Sequence, residues 1–490
     1  MEIGPIHPFK SFSPLKAAKP SAGPTPEPRD GVLLGPPRED QRAAAPASPS
    51  GPPRSALVAT ALIGALGSMA QLFMMASPAA AEPVQQVQTQ VQAPAAADIL
   101  ADLTTQVVSQ SRQGEMLNST RMVKQDDYPG LHTPGLQRGA QAQPRIEGAP
   151  NFREVPGGQT YGVAQPTVQG LRSVLTRLGA GPGSESPPVV WTSLREEPVV
   201  YIQGTSYTLR SFQQPFANLE ATGISAGEVE QQEVQLKQEV EKEAQRYGGR
   251  FLVHVENPDG SVVGKWLEIK PGDIQTPAEV FAQVQSEGYR LDYQRLPITD
   301  EKAPENKDFD ALVERLRQSS PDSKLVFNCH AGRGRTTTGI VIGQLFRNQQ
   351  SRVRPEAENV AGNRYEQGNF KVILELLESL KDGSSSKRAL DSVIDQSGAV
   401  QNLRTAIARL KEKSEGRDPH QAHESLARGK DYLHRYYKLI AFENYLEEMG
   451  PQGFPQNFSE WLKQHPELDI NAEKLELVFN ALQGQSTSLA

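Results

Sequence analysis

The sequence predicts an α/β domain with a mainly parallel central sheet flanked by helices, a helical C-terminal region and a disordered N-terminus. Three observations carry this. Across 146–350, short β-branched apolar runs alternate with amphipathic stretches of helical period, the pattern of strands joined by crossover helices. From 351 to 480 the period is almost wholly helical, as in FKVILELLESL, LRTAIARLKEK and YLHRYYKLIAFENYLEEM. Upstream the composition changes: 13 of the 38 prolines fall in the first 54 residues, which cannot build a core.

Taken in order, residues 1–54 have no periodicity and read as disordered. Ser55 to Ala81 carries no charge, follows Arg54, and ends in Ala79-Ala80-Ala81 before Glu82. Segment 55–82 therefore has the marks of an export signal cleaved near Ala81, or of a membrane anchor, although it starts far from the usual signal position. Residues 83–145, rich in Gln, Gly and Pro, read as a flexible linker. Order is expected from Arg145. Thr167 caps a helix that Gly179 stops. Pro188–Trp191, Pro198–Ile202 and Ser206–Leu209 are strands, and 226–246 is a long solvated helix. Phe251–Val255 and Val262–Ile269 flank the turn Asn257-Pro258-Asp259-Gly260 as a hairpin. Thr276 and Pro277 open another helix, and Tyr289–Leu296 returns as a strand. Helix 307–318 shows Phe309, Leu312, Val313 and Leu316 on one face. Leu325–Phe327 is a buried strand, and Thr336–Phe346 a helix.

Composition excludes several functions. A net charge of -7, from 51 basic and 58 acidic residues, argues against a general nucleic-acid binder. One cysteine, Cys329, rules out an intrachain disulfide framework, iron–sulfur clusters and multi-thiolate zinc. GxxxxGK is absent, and Gly332-x-Gly334 lacks the third glycine of a dinucleotide fingerprint. His420-x-x-His423 has no carboxylate in register and reads as surface helix.

The chemistry concentrates in Leu325–Gly343, LVFNCHAGRGRTTTGIVIG. Cys329 ends a strand, five residues follow, and Arg335-Thr336 opens a helix. In that spacing His330, Ala331, Gly332, Arg333 and Gly334 form a loop whose glycines let backbone N–H groups converge at a helix N-terminus, a nest for an anion. Arg335 closes the nest with a fork that fits two phosphate oxygens. The same positive field favours a thiolate at Cys329, poised for in-line attack on phosphorus. Thr336 can donate to the sulfur and help it leave. Such chemistry needs a general acid for the leaving oxygen. Asp300, 29 residues before Cys329 and just past a strand, is the candidate; a turn or helix cap is its other reading. The loop itself supplies the positive charge, so the mechanism calls for no metal and no cofactor.

These residues resemble the cysteine phosphatases of the protein-tyrosine-phosphatase (PTP) superfamily. Thr299-Asp300, followed by Pro304-Glu305-Asn306, is similar to the general-acid segment of the PTP-like inositol phosphatases, or phytases. Ala149-Pro150-Asn151-Phe152-Arg153, Tyr161–Thr167, Leu194–Val199, Leu439–Glu443 and Phe458–Leu462 are similar to paladin-type members. The resemblance covers about 147–470 and implies a PTP-like domain over 146–350, with 351–480 packed on or extending it. It also implies that Arg153 binds substrate, a sheet-capping arginine being the alternative; Lys302, beside the acid, is a rim candidate. Arg195-Glu196-Glu197 reads equally as a structural ion pair. Asn328 departs from the pattern, since many relatives carry His there, as does the single copy of a domain usually found in tandem.

His330 and Arg333 add two potential cations around Arg335, as in the loop of the phosphatase-and-tensin-homologue lipid phosphatases. A ring bearing several phosphates needs such cations, whereas phosphotyrosine needs one anion pocket and an apolar slot. The expected substrate is an inositol polyphosphate. The alternatives are a protein-tyrosine, dual-specificity or phosphoinositide phosphatase, or a phosphate-binding pseudophosphatase scaffold.

Overall fold

In the computed structural model the described residues are 107–137, 143–157, 159–353 and 363–468, with Ile470 and Leu475. The expected disordered segment 1–54 and the signal-like segment 55–82 lie outside them. Among the described residues no helix is long and apolar enough to cross a membrane.

Eleven strands and ten α-helices are named among the described residues. The first strands are β1 (Arg121–Gln125), β2 (Arg153–Glu154) and β3 (Thr160–Val163). Helix α1 (Val168–Arg177) follows, capped by the Thr167 side chain, with Gly179 at φ +73° beyond its end. Next come β4 (Val189–Ser193), β5 (Val199–Ile202) and β6 (Thr205–Ser211). Helix α2 (Ala226–Arg246) leads to the hairpin β7 (Arg250–Glu256) and β8 (Val262–Glu268) and to β9 (Ile274–Gln275). Helix α3 (Pro277–Ser286) opens on a Thr276–Glu279 capping box, as its sequence predicts. β10 (Leu291–Arg295), α4 (Asn306–Gln318), β11 (Leu325–Asn328) and α5 (Gly334–Ser351) complete the α/β part. The helical region is α6 (Lys371–Ser379), α7 (Gly383–Ser397), α8 (Leu403–Ser414), α9 (Pro419–Met449) and α10 (Phe458–Gln464).

The strands make two sheets. The five-stranded sheet, in order β10-β4-β11-β3-β2, is parallel except for the β2 edge, the mainly parallel sheet expected. A six-stranded sheet, β8-β7-β1-β6-β5-β9, is antiparallel except where β1 meets β7. Its strand β1 corrects one expectation, because Arg121–Gln125 falls in the stretch read as linker. Five residues of mixed polarity carry little local signal. Pairing with β6 more than 80 residues away makes the strand, so tertiary context decides it.

Leu171, Val174, Val280, Phe281 and Trp191 pack α1 and α3 on the five-stranded sheet, while Leu236 and Val240 of α2 pack on Val123, Leu209 and Phe251 of the other. Register aligns Asn328 with both Val163 and Ser193, so β3, β11 and β4 end level. The segments after them meet at that carboxyl edge, where α/β sheets gather their ligands.

Helix α5 is buried along almost its whole length, against β3, β11, α7 and α9. Close approach to the sheet is set by Gly339 and Gly343, both under Phe327. A Cβ on Gly339 would come within 2.6 Å of Leu194 Cδ1 and 2.7 Å of Phe327 Cδ1. Two effects oppose each other in Gly339→Ala: helix propensity gains about 1 kcal/mol, and overpacking costs about 1–3 kcal/mol. The clash should win, because Leu194 and Phe327 are themselves buried. Urea unfolding should show a net loss of stability; a gain would mean that α5 shifts freely on the sheet.

Candidate active site

Cys329 follows β11 directly and is fully buried, and its sulfur accepts a hydrogen bond from Thr336 Oγ1 at 3.1 Å. Three consecutive carbonyls of the next turn are held by donors outside it. His330 O accepts from Gln165 N (2.9 Å), Ala331 O from Asn151 Nδ2 (2.9 Å) and Gly332 O from Arg153 Nη1 (2.7 Å). Fixing those carbonyls fixes the peptide planes, and the first turn of α5 adds unpaired N–H groups at Gly334 and Arg335. Gly332 is at φ +69°, and a Cβ there would lie 2.5 Å from Ala164 N. Only glycine fits.

Arg153 is buried behind this turn, where it also donates to Asn151 O (3.1 Å) and Thr337 Oγ1 (2.9 Å). Burial, with the neighbouring Arg333, lowers its pKa to about 10, against the pull of Cys329. The structure therefore places Arg153 as a brace on the loop. Arg333 caps α5 and donates to Gly130 O (3.1 Å) and Leu131 O (3.0 Å), tying the loop to the chain after β1.

Arg335 lies between two carboxylates, 2.8 Å from Glu197 Oε1 and 3.0 Å from Asp300 Oδ1. Glu197 in turn pairs with Arg195 (3.1 Å), and Arg195 with both oxygens of Asp126 (2.8 and 2.9 Å). The result is a buried chain of alternating charge: Asp126, Arg195, Glu197, Arg335, Asp300. Burial alone would raise each carboxyl. For Asp126 the charge and hydrogen bonds of Arg195 outweigh burial and hold it well below the usual range. For Glu197, Arg335 and Arg195 outweigh it and hold the group at about 2. Glu196, which accepts from Asp300 N and Ala221 N, is pushed up to about 7 by burial and by Glu197. Asp300 goes up as well, because burial, Glu301 and Glu197 together exceed the opposing effect of Arg335.

Asp300 is held in detail. Its N–H donates to Glu196 Oε1 (2.9 Å), Asn218 Nδ2 donates to its Oδ2, and Glu301 N donates to its Oδ1 (3.1 Å). Asn328 is equally fixed, accepting from Trp191 Nε1 (2.9 Å) and donating to Gln165 Oε1 (3.1 Å).

One expectation about charge is corrected. His330 is buried beside Arg210, 3.2 Å from Nη2 to Nδ1, and burial with Arg210 and Arg195 holds its pKa well below the usual imidazole range. It enters as a neutral ring, not a cation. The positive charge there comes from Arg210; it lines a small cavity with His330, Tyr128, Phe216, Asn218 and Lys124, and Lys124 is paired with Glu256 of the same cavity at 3.0 Å. Lys302 points elsewhere, to Asp431 of α9 at 2.9 Å. A cleft of about 1040 Å³ lies at the other end of α5 between Arg347–Val353 and Gly450–Phe454, roughly 25 Å along the helix from the loop.

Lys124, Asp126, Arg210 and Asn218 went unnoticed in the sequence. Two sit in the stretch read as linker, and all four reach the site from the second sheet or its connections. Glu197 belonged to a triplet already singled out as an ion pair.

This geometry, a Cys-x5-Arg loop between a parallel strand and a buried helix with a carboxylic acid opposite, defines a PTP-like domain. The comparison with known families agrees: residues 192–347 match the PTP-like phytase model, described by inositol hexakisphosphate. Paladin of Gallus gallus is 31% identical over 336 residues, covering 64% of this chain and 36% of paladin. Paladin of Danio rerio is 31% identical over 346 residues, 64% of this chain and 39% of paladin. The chain thus spans little more than a third of these relatives. Among solved structures, a tandemly repeated PTP-like phytase from Mitsuokella multacida aligns at TM-score 0.45 and 16% identity, over 72% of this chain and 49% of that one.

The buried ion chain makes a prediction about acid. Glu197 is depressed from 4.5 to about 2, so its contribution to stability is complete above pH ~5 and is lost as pH falls through about 2. Stability from urea titrations should fall steadily over that window, with Asp126 extending the loss below it. Glu197→Gln should be less stable at pH 7 and show a flatter dependence from pH 5 to 2. An unchanged slope would mean that Arg335 does not hold Glu197 ionised.

Proposed function

We propose that the chain is a cysteine phosphatase that hydrolyses phosphomonoesters of inositol polyphosphates through a phosphocysteine intermediate. The observation that carries this reading is the convergence of Cys329, Arg335, Thr336 and Asp300 on one turn at the carboxyl edge of the sheet. An arriving phosphate takes the loop N–H groups and Arg335. Cys329 sulfur forms a bond to phosphorus as the ester P–O bond breaks, and Asp300 gives its proton to the leaving oxygen. Water then attacks phosphorus, Asp300 accepts its proton, and the S–P bond breaks with sulfur held by Thr336. Arg335 and the loop supply the charge stabilisation that Mg²⁺ supplies elsewhere, so no step requires a metal.

Arg335 also links binding to acidity. It is the chief influence holding Asp300 down. A phosphate dianion that takes over Arg335 removes that influence, so Asp300 keeps its proton to higher pH and is in the protonated form a general acid needs when the substrate is in place.

Two observations support a polyphosphorylated substrate: the match to the phytase model, and the buried guanidinium of Arg210 beside His330. A second reading, a phosphate-binding scaffold, is favoured by the burial of Cys329 and Arg335 and by the pairing of Arg335 with Glu197 and Asp300. The uncharged run Ser55–Ala81 supports action outside the cytoplasm or at a membrane.

Phosphate release from inositol hexakisphosphate and from a phosphotyrosine peptide, with chelator present, separates these readings. Release from the hexakisphosphate should be abolished in Cys329→Ser while binding persists. Surviving turnover in that variant would remove the thiolate mechanism; preference for the peptide would favour a tyrosine phosphatase; binding without turnover in the wild type would favour the scaffold.

Asp300→Asn should lower kcat on the hexakisphosphate by about 10²–10⁴, and far less on p-nitrophenyl phosphate, whose leaving group needs no proton. Because the Asp300 pKa is raised, the acid stays protonated to higher pH, and wild-type kcat should fall only as pH rises through that raised value. Asp300→Asn should lose this descending limb. Equal losses on both substrates would exclude Asp300 as the acid.

A further inference from the structure

The segment that carries Asp300 is gripped from behind by one face of α9. Arg428, Asp431, Arg435 and Lys438 are spaced three, four and three residues apart, which aligns them on a single stripe. Each reaches a successive part of the segment. Arg428 Nη2 pairs with Glu301 Oε2 at 2.9 Å, both side chains being more than nine-tenths buried. Asp431 pairs with Lys302 at 2.9 Å, and Arg435 donates to Lys302 O through Nε (3.1 Å) and Nη2 (2.8 Å). Lys438 Nζ donates to Pro304 O at 2.8 Å. The guanidinium of Arg435 also lies 4.8 Å from the Tyr432 ring centroid, which locks its direction.

The grip holds a strained turn. Glu301, next to the acid, is at φ +58°, a left-handed conformation that a non-glycine residue keeps only when its surroundings enforce it. Glu301 is buried, and its carboxylate meets Arg428 there. Burial opposes the charge on Arg428, but the pull of Glu301 and Tyr432 exceeds it and keeps the guanidinium charged. The Glu301–Arg428 pair is therefore a fixed electrostatic pin one residue from Asp300. Without it the backbone at Glu301 would relax, and the Asp300 carboxyl would move relative to the loop. A misplacement near 1 Å is enough to cost about 10²-fold in a chemical step.

We propose that Arg428 is a positioning residue, which sets the Asp300 carboxyl for proton transfer through Glu301 and makes α9 a working part of the catalytic apparatus. This rests on the reading of Asp300 as general acid. The test uses the full chain and compares kcat and KM on inositol hexakisphosphate and p-nitrophenyl phosphate for wild type, Asp300→Asn, Arg428→Met, Arg428→Lys and Asp431→Asn. Arg428→Met should lower kcat on the hexakisphosphate at least tenfold, with KM within about twofold. On p-nitrophenyl phosphate it should change kcat less than about threefold. Arg428→Lys, which keeps the charge, should recover most of the hexakisphosphate rate. The Asp431 pair is half-exposed, so Asp431→Asn should fold and move the ratio of the two kcat values the same way by about twofold. If Arg428→Met does not fold, the Lys and Asn variants decide. Losses equal on both substrates, or a wild-type ratio in all the α9 variants, would overturn the proposal while Asp300→Asn still showed its leaving-group effect. Absence of that effect in Asp300→Asn would instead overturn the general-acid reading beneath it.

Discussion

The chain of buried charges from Asp126 through Arg195, Glu197 and Arg335 to Asp300 is what the rest of the site depends on. Four ionised side chains and the Asp300 carboxyl lie out of water; each buried charge costs several kcal/mol, and it is offset mainly by its neighbours along the chain. The arrangement is poor as a source of stability, since apolar side chains of similar volume would hold the two sheets together as well. Its value is directional. Glu197 cannot turn toward solvent without stranding two arginines, so it presents Arg335 to the loop at one angle, and Asp126 does the same for Arg195 from the second sheet.

The two sheets divide this work. Level ends of β3, β4 and β11 bring Ala164–Gln165, Leu194–Glu197 and the Cys329 loop to one edge, and close packing of α5 through Gly339 and Gly343 fixes the height of its first turn. The six-stranded sheet adds side chains from its strands and connections: Lys124 and Arg210 from paired strands, Asp126 just past β1 and Asn218 past β6. Gln165 joins the halves, with its N–H on His330 O and its side chain on Tyr201 and Asn328. Asn328 is thereby committed to Trp191 and Gln165. Thr336 hydrogen-bonds the Cys329 sulfur.

How much of this the sequence discloses follows from range. The Cys329–Thr336 loop is legible because its chemistry, its glycines and its helix start are consecutive. Asp300 is legible because a strand end and a helix bracket it. The caps at Thr167 and Thr276 are local as well, and both form as read. Asp126 and Lys124 are not legible, since a five-residue strand acquires meaning only by pairing with β6. His330 was read with the wrong charge for a related reason: burial beside two arginines decides its protonation, and no neighbour in sequence reports it. The helices after residue 365 are plain in their periodicity. The stripe on α9 is not, because Arg428, Asp431, Arg435 and Lys438 look like an ordinary solvated face until Glu301–Pro304 is laid against them.

Asp300 is consequently held on two sides by contacts that respond differently to substrate. In front, Arg335 is the partner that phosphate would compete for on the proposed mechanism, and that contact would yield to it. Behind, the pairs to α9 involve Glu301, Lys302 and Pro304, none of which faces the loop, so an incoming anion has no means of breaking them. On the proposed mechanism, binding therefore strengthens the hold of the carboxyl on its proton without releasing its backbone. A proton donor on a free lid would gain its proton and lose position in the same step; here the strained turn at Glu301 separates the two, and that is a physical reason for keeping a non-glycine residue at positive φ beside the proposed acid.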